Sequence, residues 1–278
     1  MDKLQALLDS PAYVRADEDT QFLHRDELRG TRLHLEYLKP ELTLQERGIR
    51  STIVLFGGTR IVEQDEAERR LKGLEDRRAT LPDDRDLDRA IARAKRVVAK
   101  SRYYDIAREF AHRVATWTRE TNRKGEFIIT TGGGPGIMEA GNRGADEADM
   151  DSIGLNIDLP LEQEPNPYIS PELCFQFRYF ALRKLHFIQR AQALVAFPGG
   201  YGTLDELFNA LCLVQTGKMD TIPIILVGRE FWSRAIDPEF LAAEGVISPE
   251  DVDLIHYAET AEEIADYIRH WYESGQRP

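Results

Sequence analysis

Phe197-Pro198-Gly199-Gly200-Tyr201-Gly202-Thr203-Leu204-Asp205-Glu206 follows the apolar run Ala191 to Ala196. An unbroken apolar run, then glycines, then a pattern of helical period reads as a buried strand turning tightly into a helix over Thr203 to about Gln215. The first N–H groups of such a helix have no partner inside it and attract anions, phosphate above all.

The same pattern occurs twice more. Thr52–Phe56 runs into Gly57-Gly58-Thr59, and Glu126–Thr131 runs into Gly132-Gly133-Gly134-Pro135-Gly136 before the helical Ile137–Ala140. Further strands are expected at Ser152–Ile157, Leu173–Phe177, Ala193–Phe197 and Ile222–Val227. Helices are expected at Phe180–Arg190, Phe231–Ala243 and Ala261–Tyr272, the last with Thr260 as N-cap. Strands that are apolar throughout and alternate with helices imply an α/β fold, a doubly wound parallel sheet with helices on both faces. Right-handed crossovers then bring every glycine turn to one sheet edge, where such folds bind ligands.

Residues 1–48 carry spaced leucines among charges, with Pro11 and Pro40 as breaks, and read as an N-terminal helical extension of one or two short amphipathic helices that pack on the main body or on a second subunit. Residues 49–278 read as the nucleotide-binding domain, with a helical insertion at about 60–100. Within it, Val62 to Arg78 and Asp84 to Glu120 keep helical spacing, and such charge-rich helices read as solvated faces. Leu159 to Pro171 reads as a proline-rich loop bordering a site.

Composition narrows the function. The 278 residues hold 36 Lys+Arg against 48 Asp+Glu, a formal charge of −12 that disfavours nucleic acid as a partner. No apolar run approaches the ~20 residues of a membrane span, and no secretory signal opens the chain, so a cytoplasmic protein without membrane contact is expected. Cys174 and Cys212 sit in apolar sequence without metal-ligand spacing and read as two buried thiols; no metal is expected. Neither the Gly132 nor the Gly199 turn ends in Gly-Lys-Ser/Thr, and neither has the dinucleotide spacing, so a mononucleotide fits better than a triphosphate or NAD.

Glu206 follows the expected helix start by three residues, which allows either a capping box or a catalytic carboxylate. Its neighbour Asp205 is expected to point elsewhere. Arg183-Lys184 form a charge pair suited to a phosphate or ribose, or to a surface ion pair; His186 reads as a satisfied core or surface histidine.

Taken together, Gly132–Glu139, Arg183-Lys184 and Pro198–Glu206 resemble the LOG ("Lonely guy") family, long labelled lysine decarboxylases, over about residues 50–245. The resemblance implies a Rossmann-like, cofactor-free phosphoribohydrolase. Such an enzyme cleaves the N-glycosidic bond of purine nucleoside 5′-monophosphates, AMP or cytokinin riboside 5′-monophosphate, to free base and ribose 5-phosphate. It implies that Gly133, Gly134, Gly199, Gly200, Gly202 and Thr203 hold the 5′-phosphate, that Arg183 and Glu206 are the catalytic pair with Lys184 in support, and that the chain forms a homodimer or larger assembly. The N-terminal extension and about forty residues before Tyr103-Tyr104 lie outside the compact plant-type pattern. A non-catalytic nucleotide-binding or carrier protein on the same fold is the alternative, since a fold does not fix an activity.

Overall fold

A computed structural model describes residues 2–81, 83–160 and 164–273. Three helices open it: α1 (Lys3–Leu8), α2 (Thr20–Leu23) and α3 (Arg29–Glu46). Then come β1 (Thr52–Phe56), the helices α4 (Gln64–Thr80), α5 (Arg85–Val98) and α6 (Arg102–Glu120), β2 (Ile128–Thr131), α7 (Ile137–Asp146), β3 (Ser152–Ile157) and β4 (Cys174–Phe177). The second half runs α8 (Phe180–Gln189), β5 (Ala191–Ala196), α9 (Tyr201–Gln215), β6 (Ile224–Val227), α10 (Arg229–Ala235), α11 (Pro238–Ala243), β7 (Ile255–Ala258) and α12 (Ala261–Glu273).

The strands form one seven-stranded sheet in the order β4-β3-β2-β1-β5-β6-β7, and every pairing is parallel. The doubly wound, Rossmann-like architecture expected from the alternation is the one observed. After β4 the chain crosses back over β1, so the winding direction reverses between β1 and β5; a crevice opens at the strand C-termini of such a switch point. The period-2 alternation of β1 divides the core. Ile53 and Leu55 pack with α6, α7 and α12 on one face, while Val54 and Phe56 pack with α8, α9 and α10 on the other.

Several elements depart from the sequence reading. Pro40 does not break α3 but lies inside it, where Pro40 itself is buried. The tertiary anchoring of this helix outweighs the lost N–H: Arg190 forms a two-pronged ion pair with buried Glu41 at 2.7 Å on both prongs, and Glu36 accepts from the backbone N–H groups of Arg178 and Tyr179 at 2.7 and 2.9 Å. The α3 helix therefore packs on α8, whereas α1 buries no residue. The expected single helix Phe231–Ala243 is two, because Pro238 opens α11 and disfavours helical backbone at the residue before it. The Asp84–Glu120 stretch is likewise broken at 99–101 between α5 and α6. The β7 strand was not foreseen. It is a short, half-buried edge strand led in by a 3-10 turn over Pro249–Leu254, and its Ile-His-Tyr-Ala sequence has no unbroken apolar run. Cys212 is exposed and Cys174 half-buried, so the two thiols are not the buried pair expected; Cys212 lies on the outward face of α9.

Candidate active site

Three glycine turns lock together at the switch point. The Gly58 N–H donates to Pro198 O at 3.0 Å, the Phe197 N–H to Phe56 O at 2.8 Å, and the Ile137 N–H to Gly58 O at 3.4 Å. Gly136, at φ +75°, caps α7, and a side chain there would strike the Gly58–Thr59 backbone, so this crossing admits only glycine. A cavity of about 920 Å³ opens over the turns, at the upper end of the range for small-molecule sites.

On the sheet side the cavity is lined by Gly57, Gly58, Gly132, Arg183, Gly199, Gly200, Gly202, Thr203 and Glu206. The α9 helix starts at Tyr201, and its first internal bond is Leu204 N–H to Gly200 O at 3.1 Å, which leaves the N–H groups of Tyr201, Gly202 and Thr203 ahead of it. Nothing stands within 4 Å of where a side chain at Gly200 or Gly202 would begin, so an anion can approach the backbone. Gly133 and Gly134 lie outside the lining. The Gly133 N–H is committed to Thr131 Oγ1 at 3.0 Å, and both carbonyls accept from the Asn166 amide at 3.2 and 3.1 Å. They shape the Gly132 turn. Asn166 belongs to the 159–171 loop, whose Leu159 reaches the cavity and whose residues 161–163 lie outside the described residues.

Because α9 begins at Tyr201, two residues earlier than expected, Glu206 is the sixth helical residue and does not form a capping box. Its carboxylate points sideways to α8. Lys184 Nζ lies 3.7 Å from Glu206 Oε1 and 2.5 Å from Asp205 Oδ2, so Asp205 does not point elsewhere but shares Lys184 with Glu206. Glu206 is 5% exposed, and its Oε2 has no hydrogen-bond partner among the described residues. Burial pushes its carboxyl above the usual carboxylate range, against the opposing pull of Lys184 and Arg183.

Arg183 donates from Nε to Leu155 O at 2.7 Å and from Nη2 to Gly132 O at 3.4 Å, and its guanidinium stacks over the Phe187 ring at 5.1 Å. Burial lowers its pKa, and the nearby Glu206 charge opposes that. The guanidinium is thus clamped beside the carboxylate without a direct ion pair, and Nη1 has no hydrogen-bond partner among the described residues. His186 is buried, stacked on Tyr37 at 5.3 Å, on the α3 side of α8 and outside the cavity lining. Its ring packs between Tyr37 and Phe177 as a core histidine, and burial lowers its pKa.

The opposite wall was missed in the sequence. It comes from α4 and α5, which contribute Leu74, Ala90, Arg93, Ala94, Arg96 and Val97, with Lys100 just beyond and Arg60 from the first glycine turn. Ala90, Arg93, Ala94 and Val97 have i, i+3, i+4, i+7 spacing, a signal legible in the sequence once the helix is known to face inward.

Sequence and structure comparisons follow the same lines. A family model described as "Possible lysine decarboxylase" matches residues 138–268, a range that takes in Arg183 and the whole Pro198–Glu206 stretch. A cytokinin riboside 5′-monophosphate phosphoribohydrolase of Arabidopsis thaliana is 25% identical over 176 residues, 62% of this chain and 77% of that one. A pyrimidine/purine nucleotide 5′-monophosphate nucleosidase of Escherichia coli is 31% identical over 113 residues, 37% of this chain, and the match spans 24% of the relative's length. Among solved structures, the molybdenum cofactor binding protein of Rippkaea orientalis superposes with a TM-score of 0.50 at 15% identity, over 80% of this chain and 98% of that one, a likeness of fold. These matches bear out the resemblance to the LOG family that the glycine motifs carry.

Proposed function

We propose that this protein is a nucleotide 5′-monophosphate phosphoribohydrolase, which hydrolyses the N-glycosidic bond of AMP or a cytokinin riboside 5′-monophosphate to free base and ribose 5-phosphate. The observation that carries the reading is Glu206: a buried carboxylate with one uncommitted oxygen, in a nucleotide-sized cavity, one to two turns from uncapped helix N–H groups. Burying such a group unpaired costs about 1–3 kcal/mol, which a purely structural role does not justify.

In this reading the 5′-phosphate sits on the Gly199–Thr203 turn, held by backbone N–H groups and the Thr203 hydroxyl. The bond from the ribose C1′ to the base nitrogen then breaks with its electron pair going to the base, and positive charge builds on the sugar. Glu206 stabilises that charge and takes a proton from the attacking water, while the departing base gains a proton. Arg183, held by the Leu155 and Gly132 carbonyls, presents a fixed cation to the nucleotide and favours the ionised carboxylate; Lys184 supports both acids. The decarboxylase description attached to the matched family would need pyridoxal phosphate as a Schiff base on a lysine; a purified protein without Schiff-base absorbance removes that reading.

The same proposal includes a division into a 1–48 extension and a 49–278 catalytic unit with an insertion at about 60–100, a cytoplasmic location and a homodimer. Exposed Leu185, Tyr201 and Phe208 on α8 and α9 support self-association, which light scattering on the purified chain tests. The activity is tested by incubating the protein with AMP, other nucleoside monophosphates, a cytokinin nucleotide and adenosine, and separating free base by chromatography. Release from AMP that is lost in Glu206→Gln, with adenosine far slower, supports the reading. Binding of AMP without release by the parent protein overturns it in favour of a carrier.

A further inference from the structure

The α4–α5 wall has a chemistry of its own. Ala90, Ala94, Val97 and Leu74 present small and apolar surface, flat enough for a base or sugar to lie against. Around it stand four cations, Arg60, Arg93, Arg96 and Lys100, all lining the cavity and none with an ion-pair partner among the described residues. Off the cavity the cations of α4 and α5 are mixed: Lys72, Arg77 and Arg85 also have no ion-pair partner among the described residues, while five others are paired. Arg69 and Arg70 pair with Glu66, Arg78 with Asp88, Arg89 with Asp86, and Lys95 with Glu75, all within α4 and α5. In a chain of net charge −12, acids are plentiful, yet four bases are left unneutralised where the cavity is. Cations in the last turn of α5 complement its helix dipole, but Lys95 on the same turn does so while paired, and Arg60 is on no helix at all.

The glycine turns and Thr203 already supply a site for one phosphate on the other wall. The cavity, at about 920 Å³, has room for more than one such group, with Glu206 and Arg183 beside the glycine turns on the sheet-side wall. We propose that Arg60, Arg93, Arg96 and Lys100 form a second anion subsite, and that the favoured ligand is a nucleotide carrying a second phosphoryl group besides its 5′-phosphate. This deepens the reading of the cavity as a nucleotide site and rests on it. The second group is either a further unit of the 5′ chain or an ester on the 2′- or 3′-hydroxyl; the chemistry recognised, a phosphoryl dianion against two arginine forks, is shared.

Calorimetric titration of the full chain with AMP, ADP, adenosine 2′,5′-bisphosphate and adenosine 3′,5′-bisphosphate distinguishes these sources. At least one of the three binds more tightly than AMP by about tenfold or more, as one charge-assisted contact supplies. The double variant Arg93→Gln/Arg96→Gln, on an exposed face, binds AMP as the parent does and loses that advantage, which also shows that it is folded. Equal or weaker binding of all three relative to AMP overturns the subsite, as does an advantage that survives the double variant. Failure of the hydrolase reading is separate: the bisphosphate preference intact while no base leaves AMP keeps the subsite and removes the enzyme. Absence of binding by any nucleotide overturns both.

Discussion

The two walls of the cavity are built on opposite principles. The sheet-side wall hangs on interlocked glycine turns, a half-buried Arg183 and a buried Glu206, and its helices sink apolar faces into the core. The α4–α5 wall buries only Ala67 and Leu87 along its two helices, and the ion pairs that join them, Arg78–Asp88 and Lys95–Glu75, face solvent. Rigid packing fixes charged groups to within the tolerance that bond cleavage needs, and local stability is lowest where few apolar contacts are buried. On the proposed reading, the first wall carries the chemistry and the second adaptable recognition.

The sharpest way to break it is Glu206→Gln. Base release from AMP falls by about 10²- to 10⁴-fold in a steady-state assay, the range for losing a general base. The same substitution raises thermal stability at neutral pH. Glu206 has a folded pKa raised by burial, so the native state binds its proton more tightly than the unfolded chain and loses that stabilisation as pH rises through the raised pKa. Gln removes the cost of the buried charge, by about 1 kcal/mol, and the advantage vanishes in acid where both side chains are neutral. If the proposed activity holds, the acid limb of the parent protein's pH–rate profile lies above the ordinary carboxylate range for the same reason; a limb within that range contradicts a buried catalytic Glu206.

Next in size is Glu41→Ala, which removes the ion-pair partner of half-buried Arg190 under α3 and costs about 1–3 kcal/mol in urea denaturation at neutral pH. Arg190 holds the Glu41 carboxyl below its usual range, so this loss shrinks as pH falls through that lowered pKa. Thr203→Val keeps the volume and removes one hydroxyl donor from the phosphate turn; it raises KM for AMP by about fivefold, the worth of one hydrogen bond. The smallest effect belongs to the outer face of the second wall. Lys95→Ala breaks an exposed pair with Glu75 and shifts the denaturation free energy by less than ~0.5 kcal/mol, with AMP turnover unchanged. A large loss there makes α4–α5 a structural support and erases the contrast.

What was legible and what was not divides along local and tertiary lines. The strands β1, β3 and β5 and the turns after them announce themselves through unbroken apolar runs and glycines, because both faces of each strand are covered. The start of α9 was misread by two residues, since Tyr201 and Gly202 are weak helix formers that the turn geometry overrides, and this changed Glu206 from a possible cap into a side-pointing acid. Asp205 and Lys184 meet only because α8 and α9 lie side by side, a distance no spacing encodes. Arg93 and Arg96 read as solvated charges; their placement at a cavity depends on where the hairpin docks.

By itself, then, the sequence determined the doubly wound sheet, the phosphate-type turns at one edge and the identities of Arg183 and Glu206 as charged residues flanking them, since these follow from periodicity, glycine stereochemistry and chain order. Only the tertiary structure decided that Glu206 is buried with an uncommitted oxygen, that Gly133 and Gly134 shape the turn from outside the cavity, and that Arg93 and Arg96 of a polar hairpin line the site without an ion-pair partner among the described residues. Burial and ionic partnership are properties of what lies across space, and the residues across space here come from segments dozens of positions apart.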